Sequence, residues 1–168
     1  MDRVGVAVWE LRRLGYDTAL FGDSDRAISP DAKKLVGQGV AVIQWNGKVS
    51  TEQRIAADLP FLDLQSLFEK ACQIHNEARV LENCRAESKE QFDGKDMVSG
   101  PKLDAWKKAG ASETSVRQLI GLVAREKAWF KDLNAGNALG KVVVNALPKI
   151  PKTDLAAKLK LVEQWVYG

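Results

Sequence analysis

The sequence predicts an α/β fold, a parallel sheet of few strands followed by a mostly helical C-terminal region. Three observations predict it. Two short β-prone runs, Thr18 to Phe21 and Val40 to Trp45, stand within the first fifty residues, each bounded by turn formers. Helical patterns precede, separate and follow them, an order that implies parallel strands joined by crossover helices. Beyond Pro60 the apolar spacing is helical almost throughout. The expected organisation is therefore an α/β unit over residues 1–60 and a helical region over 61–168, packed as one domain.

Residues 2–14 suit a helix, with Val4, Val8, Leu11 and Leu14 at helical spacing and Gly15 as the stop. The first strand follows and runs directly into Gly22, Asp23, Ser24, Asp25 and Arg26. Ser29-Pro30-Asp31 has the form of a helix start, with a capping serine and proline at the first helical position. That helix is short and ends near Gly37 or Gly39. The second strand closes at the Asn46-Gly47 turn, and Ser50 with Gln53 matches a capping box for the next helix. Residues 61–83 carry Leu62, Leu64, Leu67, Phe68, Ala71 and Ile74 in a helical pattern, then Val80 and Leu81. The polar stretch from Glu87 to Pro101 is expected to be a mobile loop. Further helices are expected over 102–109, 113–131, 135–147 and 153–166, separated by Gly110, by Asn134 to Gly136 and by Pro148 to Pro151.

A chain of 168 residues with 45% apolar and 28% charged residues is long and apolar enough to bury a core. No apolar run is long enough to cross a bilayer, and the N-terminus lacks the order of a signal peptide, so the expected compartment is the cytoplasm with no membrane partner. Cys72 and Cys84 have no metal-ligand spacing and are expected to be reduced, partly buried thiols. The net charge of +3 is spread along helices, which permits contact with nucleic acid without arguing for it.

The chemistry lies after the first strand. Two carboxylates one residue apart at a strand's carboxyl end sit where open α/β sheets place ligands, and strand alternation sends both to one side. Hard oxygen ligands suit Mg²⁺ or Mn²⁺, whereas the single histidine and two cysteines give little for zinc. The competing reading is an Asp-rich turn, because Asp and Ser are ordinary turn residues. Arg26 has two readings, a phosphate contact or an ion pair with Asp23 or Asp31. His75 has no Cys or His at ligand spacing and reads as structural, and the five tryptophans read mostly as packing anchors.

Three stretches together resemble one family. They are residues 11–26, from Leu11 through Asp23-Ser24-Asp25-Arg26; residues 39–60, with Gln44-Trp45, Ser50-Thr51-Glu52-Gln53-Arg54 and Asp58-Leu59-Pro60; and Ala128-Trp129-Phe130-Lys131-Asp132 with Gly136 and Leu139-Gly140. The resemblance is to the C-terminal half of the TOPRIM (topoisomerase–primase) domain in ATP-dependent endonucleases of the OLD family. It implies a partial TOPRIM-like sheet in residues 1–60 and a metal-dependent DNA nuclease acting in phage defence or DNA repair. It implies Asp23, Asp25 and Glu52 as ligands of Mg²⁺ or Mn²⁺, with Ser24 a further oxygen. Lys131, or in second place Lys141, would be the catalytic lysine near the scissile phosphate, and Arg26 a nucleic-acid contact. Carboxylates holding two metals and a lysine on the developing charge form a self-consistent phosphodiesterase.

The chain departs from that family in two ways. The strand ending in a glutamate that opens a TOPRIM domain is not found upstream of Asp23, and no phosphate-binding loop of an ATPase appears. The implied partners are therefore DNA and an ATPase or N-terminal TOPRIM portion, in the same parent protein or another chain, with a homodimer as a further possibility. The alternative function is a non-catalytic interaction or dimerisation module built on the helical region, with a degenerate metal site. A phosphatase of haloacid dehalogenase type also begins with such an aspartate pair. It would need Gly-Thr where Arg26-Ala27 stands, and more strands.

Overall fold

Two parallel strands stand in the computed structural model, which describes residues 3–28, 31–91 and 97–168. Strand β1 is Ala19–Gly22 and β2 is Ala41–Gln44, paired in parallel with Ala19 opposite Ala41 and Gly22 opposite Gln44. The helices are α1 (Arg3–Arg13), α2 (Ala32–Gly37), α3 (Thr51–Asp58), α4 (Phe61–His75), α5 (Glu77–Gln91), α6 (Leu103–Lys108), α7 (Glu113–Glu126), α8 (Leu133–Ala146) and α9 (Asp154–Tyr167). The small parallel sheet followed by helices agrees with the fold class read from the sequence. Among the described residues no helix is long and apolar enough to cross a membrane.

The chain forms two compact units, Met1–Thr51 with Lys152–Gly168, and Glu52–Pro151. In the first, α1 and α2 pack on the strands around Leu20, Leu35 and Val40, with Val8, Trp9, Ile28 and Val42 at the rim. The last helix returns to β2, where the Asp154 carboxylate accepts from the Asn46 backbone N–H (2.8 Å) and side-chain amide (2.7 Å). The composition shift after Pro60 gave no hint of that return. A sheet of two strands is too narrow to cover the whole apolar stripe of α1. Val4 is 57%, Leu11 45% and Leu14 74% exposed, although their spacing is that of a core face.

The second unit holds most of the large buried side chains. Phe68 on α4 meets Trp106 on α6 edge to face at 5.3 Å and Trp129 at 6.1 Å. Leu64, Val80, Leu103, Val116, Leu119 and Ile120 complete this core with no exposed surface. The Arg117 guanidinium on α7 donates to the carbonyls of Ala56, Ala57 and Leu59 at the end of α3, and Glu113 holds it in place at 2.8 Å. That guanidinium in turn keeps the Glu113 carboxyl below its usual range. Cys72 and Cys84 are free and buried. Burial, with Glu77 and Glu69 adding, pushes the Cys72 thiol up to about 11, and deeper burial pushes Cys84 further in the same direction. Neither is a nucleophile at neutral pH.

Several boundaries differ from the sequence expectation, each for a local reason. The pattern over 61–83 is two helices, because Asn76 adopts a left-handed φ of 71° and its Oδ1 accepts from the Ala78 N–H to start α5. Helix α5 then runs to Gln91, so the first third of the expected loop is helical, while residues 92–96 lie outside the described residues. The proposed cap Ser29 and Pro30 also lie outside them. Asp31 caps α2, accepting from the Lys34 N–H at 2.9 Å.

Helix α7 stops at Glu126 rather than 131. Its end has the same hydrogen bonds as the ends of α1, α2 and α6, whose left-handed residues are Gly15, Gly39 and Gly110. There the Trp129 N–H reaches the Ala124 carbonyl and the Ala128 N–H that of Arg125, with Ala128 at φ 53°. A glycine carries no Cβ penalty at this position, and an alanine does. Ala128→Gly is therefore expected to raise stability by about 0.5–1 kcal/mol, read as a higher urea midpoint with unchanged slope.

Candidate functional site

The two aspartates leave the sheet where expected, immediately past β1. The strand ends at Gly22, however, and residues 24–26 form a bend, so strand alternation does not extend to Asp25. What turns the chain is a set of bonds to the last residue of β2 and the segment after it. The Ser24 N–H donates to the Val49 carbonyl at 3.0 Å, and the Gln44 amide donates to the Asp23 carbonyl at 2.7 Å. The Ser24 hydroxyl donates to the Gly47 carbonyl at 2.5 Å and accepts from the Val49 N–H at 3.2 Å. It is engaged in closing this turn.

Asp23 has a defined structural task. Its Oδ1 accepts from both the backbone N–H and the hydroxyl of Thr51, each at 2.7 Å, which satisfies an otherwise orphaned donor where α3 begins. The Thr51 hydroxyl accepts in turn from the indole N–H of the buried Trp45 at 2.9 Å, and Trp45 stacks edge to face with Phe21 at 5.0 Å. A chain of hydrogen bonds thus runs from a core tryptophan to an exposed carboxylate, each bond polarising the next. Trp45 serves here as the packing anchor the sequence implied. Thr51 and Gln44 were the partners that sequence reasoning missed. A threonine at a helix start was the available signal.

Asp25 is half-buried in the same bend. Arg26 is exposed and forms no ion pair among the described residues, so the pairing expected with Asp23 or Asp31 does not occur; those carboxylates are turned to Thr51 and to the Lys34 N–H. Glu52 is the second residue of α3, a first-turn acid half-buried in the second unit. Lys131 is exposed between α7 and α8, and Lys141 is exposed on α8. Asp23 and Asp25 lie in the first unit, and both lysines and Glu52 belong to the second. Among the described residues no three His, Cys, Asp or Glu side chains converge as a metal-binding group. Two carboxylates nevertheless fit Mg²⁺, which commonly takes one or two protein carboxylates and fills its octahedron with water and substrate phosphate. His75 hydrogen-bonds the Trp129 carbonyl through Nε2 at 2.7 Å, in keeping with its structural reading.

Comparison with family models, with curated proteins and with solved structures gives no match to this chain.

Proposed function

We propose that the chain is a metal-dependent DNA nuclease module of TOPRIM type, the C-terminal part of an OLD-type ATP-dependent endonuclease. The observation that carries this reading is the position of Asp23 and Asp25, at the carboxyl end of a parallel strand, with Asp23 pinned by Thr51. Asp23 and Asp25 would hold Mg²⁺ or Mn²⁺, with Glu52 as the ligand the family resemblance adds. The cation would supply an activated water and charge neutralisation at the leaving oxygen. Arg26, exposed beside the pair, would meet a phosphate, and Lys131 (or Lys141) is the lysine the resemblance assigns to the scissile group. Pinning by Thr51 fixes one carboxylate in advance, so less order is lost when a ligand arrives.

The sheet supports the other half of this reading. Its two strands and the uncovered Val4, Leu11 and Leu14 leave room for further strands from a parent chain or partner. The alternative reading, a non-catalytic interaction module, is favoured by one fact: the Asp23–Thr51 bonds give Asp23 a reason to exist without any metal.

Substitution by asparagine separates the two. Asp23→Asn keeps an oxygen for the Thr51 donors but removes the charge, whereas Asp23→Ala also removes the cap at a cost of about 1 kcal/mol. Calorimetric Mn²⁺ binding that falls at least about tenfold in Asp23→Asn and in Asp25→Asn, with little change in melting temperature, is the expected result. Plasmid nicking lost in the same variants would add catalysis. Wild-type protein that takes up no Mn²⁺, with Asp23→Ala less stable than Asp23→Asn, would leave the interaction module standing.

A further inference from the structure

A cavity of about 390 Å³ opens in the second unit between the start of α5 and the end of α7. Arg79 and Asn83, one turn apart on α5, line it from one side, and Lys127 lines it from the other. Among the described residues neither Arg79 nor Lys127 forms an ion pair, and the half-buried Asn83 side chain has no hydrogen bond. The single acid in the lining, Glu126, is drawn toward Arg125 at 3.6 Å. Surface cations usually find a carboxylate or point into open water. Here two of them and an amide line one concavity in which Glu126 is the single acid and cations outnumber it.

The walls are held by bonds that do not use these donors. The Trp129 carbonyl can only accept, so the 2.7 Å contact requires the proton on His75 Nε2. That bond ties the end of α4 to the turn after α7. The two non-glycine residues with left-handed φ among the described residues, Asn76 and Ala128, flank it: Asn76 follows His75 and Ala128 precedes Trp129. Backbone held in such sparsely populated conformations is found where surrounding structure over-determines it, ligand clamps among them.

We infer that this cavity is a phosphate-binding site, taking one phosphate group through Arg79, Lys127 and Asn83. The planar guanidinium fork matches two phosphate oxygens, the ammonium adds a point charge, and the amide donates to a third oxygen. The group is either free phosphate or a phosphodiester of a nucleic-acid backbone, which share the pair of non-bridging oxygens that a guanidinium fork takes; on a phosphodiester the amide's oxygen would be an ester one. The inference does not depend on the metal reading of Asp23 and Asp25, whose residues it does not use.

The test is titration of the full chain with inorganic phosphate, and separately with a short single-stranded oligonucleotide. Backbone amide shifts and calorimetry are followed at ionic strength matched with chloride, so that screening is constant. Saturable shifts at Lys127, Ala128 and Trp129 are expected, with affinity reduced at least about tenfold in the double variant Arg79→Gln, Lys127→Gln. Because both side chains are exposed, that variant is expected to melt with the wild type. Tighter binding of the oligonucleotide would assign the group to a nucleic-acid backbone, and binding of phosphate alone would assign it to the free ion. No saturable shift with either probe, or shifts unchanged in the double variant, would overturn the inference.

Discussion

Trp106→Ala is expected to destabilise the second unit by about 3–5 kcal/mol, a large share of the roughly 5–15 kcal/mol that holds a domain folded. Three losses add at this site. The indole is fully buried, so its removal opens a void beside Phe68 where α6 packs on α7. The edge-to-face contact with Phe68 at 5.3 Å goes with it. The indole N–H also donates to the Gly100 carbonyl at 2.6 Å, the bond that ties the segment before α6 to the core. Trp106→Phe keeps a ring but leaves that carbonyl without its donor, and should cost about 1–3 kcal/mol. Urea titrations of both variants would measure the difference. Equal midpoints for Trp106→Phe and wild type would mean that the Gly100 bond contributes nothing net.

Gly121 is the second site of large effect, and there the expected sign is opposite to the usual helix rule. An alanine in place of a helical glycine ordinarily stabilises by about 1 kcal/mol. At Gly121 an added Cβ would lie 2.8 Å from the Gln53 Cα and 3.2 Å from the Ala56 Cβ, so α7 and α3 touch there backbone to backbone. Overpacking of that kind costs about 1–3 kcal/mol, and a branched side chain more, because backbone rather than a flexible side chain must give way. Gly121→Ala should therefore be destabilised and Gly121→Val severely so. Gly140→Ala on α8, where a Cβ meets nothing within 4 Å, should gain roughly 0.5–1 kcal/mol. A stabilised Gly121→Ala would show that the α3–α7 contact yields easily.

How far the sequence reached can be traced to the kind of signal each element carries. Both strands and their parallel pairing were legible because short apolar runs bounded by turn formers and set between helical patterns leave few alternatives. Helices closed by Gly15, Gly39 or Gly110 ended close to where a glycine said they should. Helix α7 did not, because Ala128 occupies the left-handed position that a glycine normally marks. The break at Asn76 was hidden for a related reason, since asparagine takes a positive φ more readily than most residues without announcing it. At the candidate site the aspartates themselves were legible, as was their place past the strand. The bond from Asp23 to Thr51 was not, because it joins residues 28 apart whose meeting depends on β2 lying beside β1. The uncovered α1 residues were beyond reach as well: spacing shows an apolar stripe but not how wide a sheet will be there to receive it.

The bond between Asn46 and Asp154 joins residues 108 apart in the chain, and it places a constraint on synthesis. The second unit is continuous over Glu52–Pro151, so it can close as soon as its own residues have emerged. The first unit cannot. After β2 has left the ribosome, roughly 5–20 s of further elongation pass before Asp154 exists, at about 5–20 residues per second. During that interval the nascent strands stand without their last helix, and the unit begun first is the one finished last.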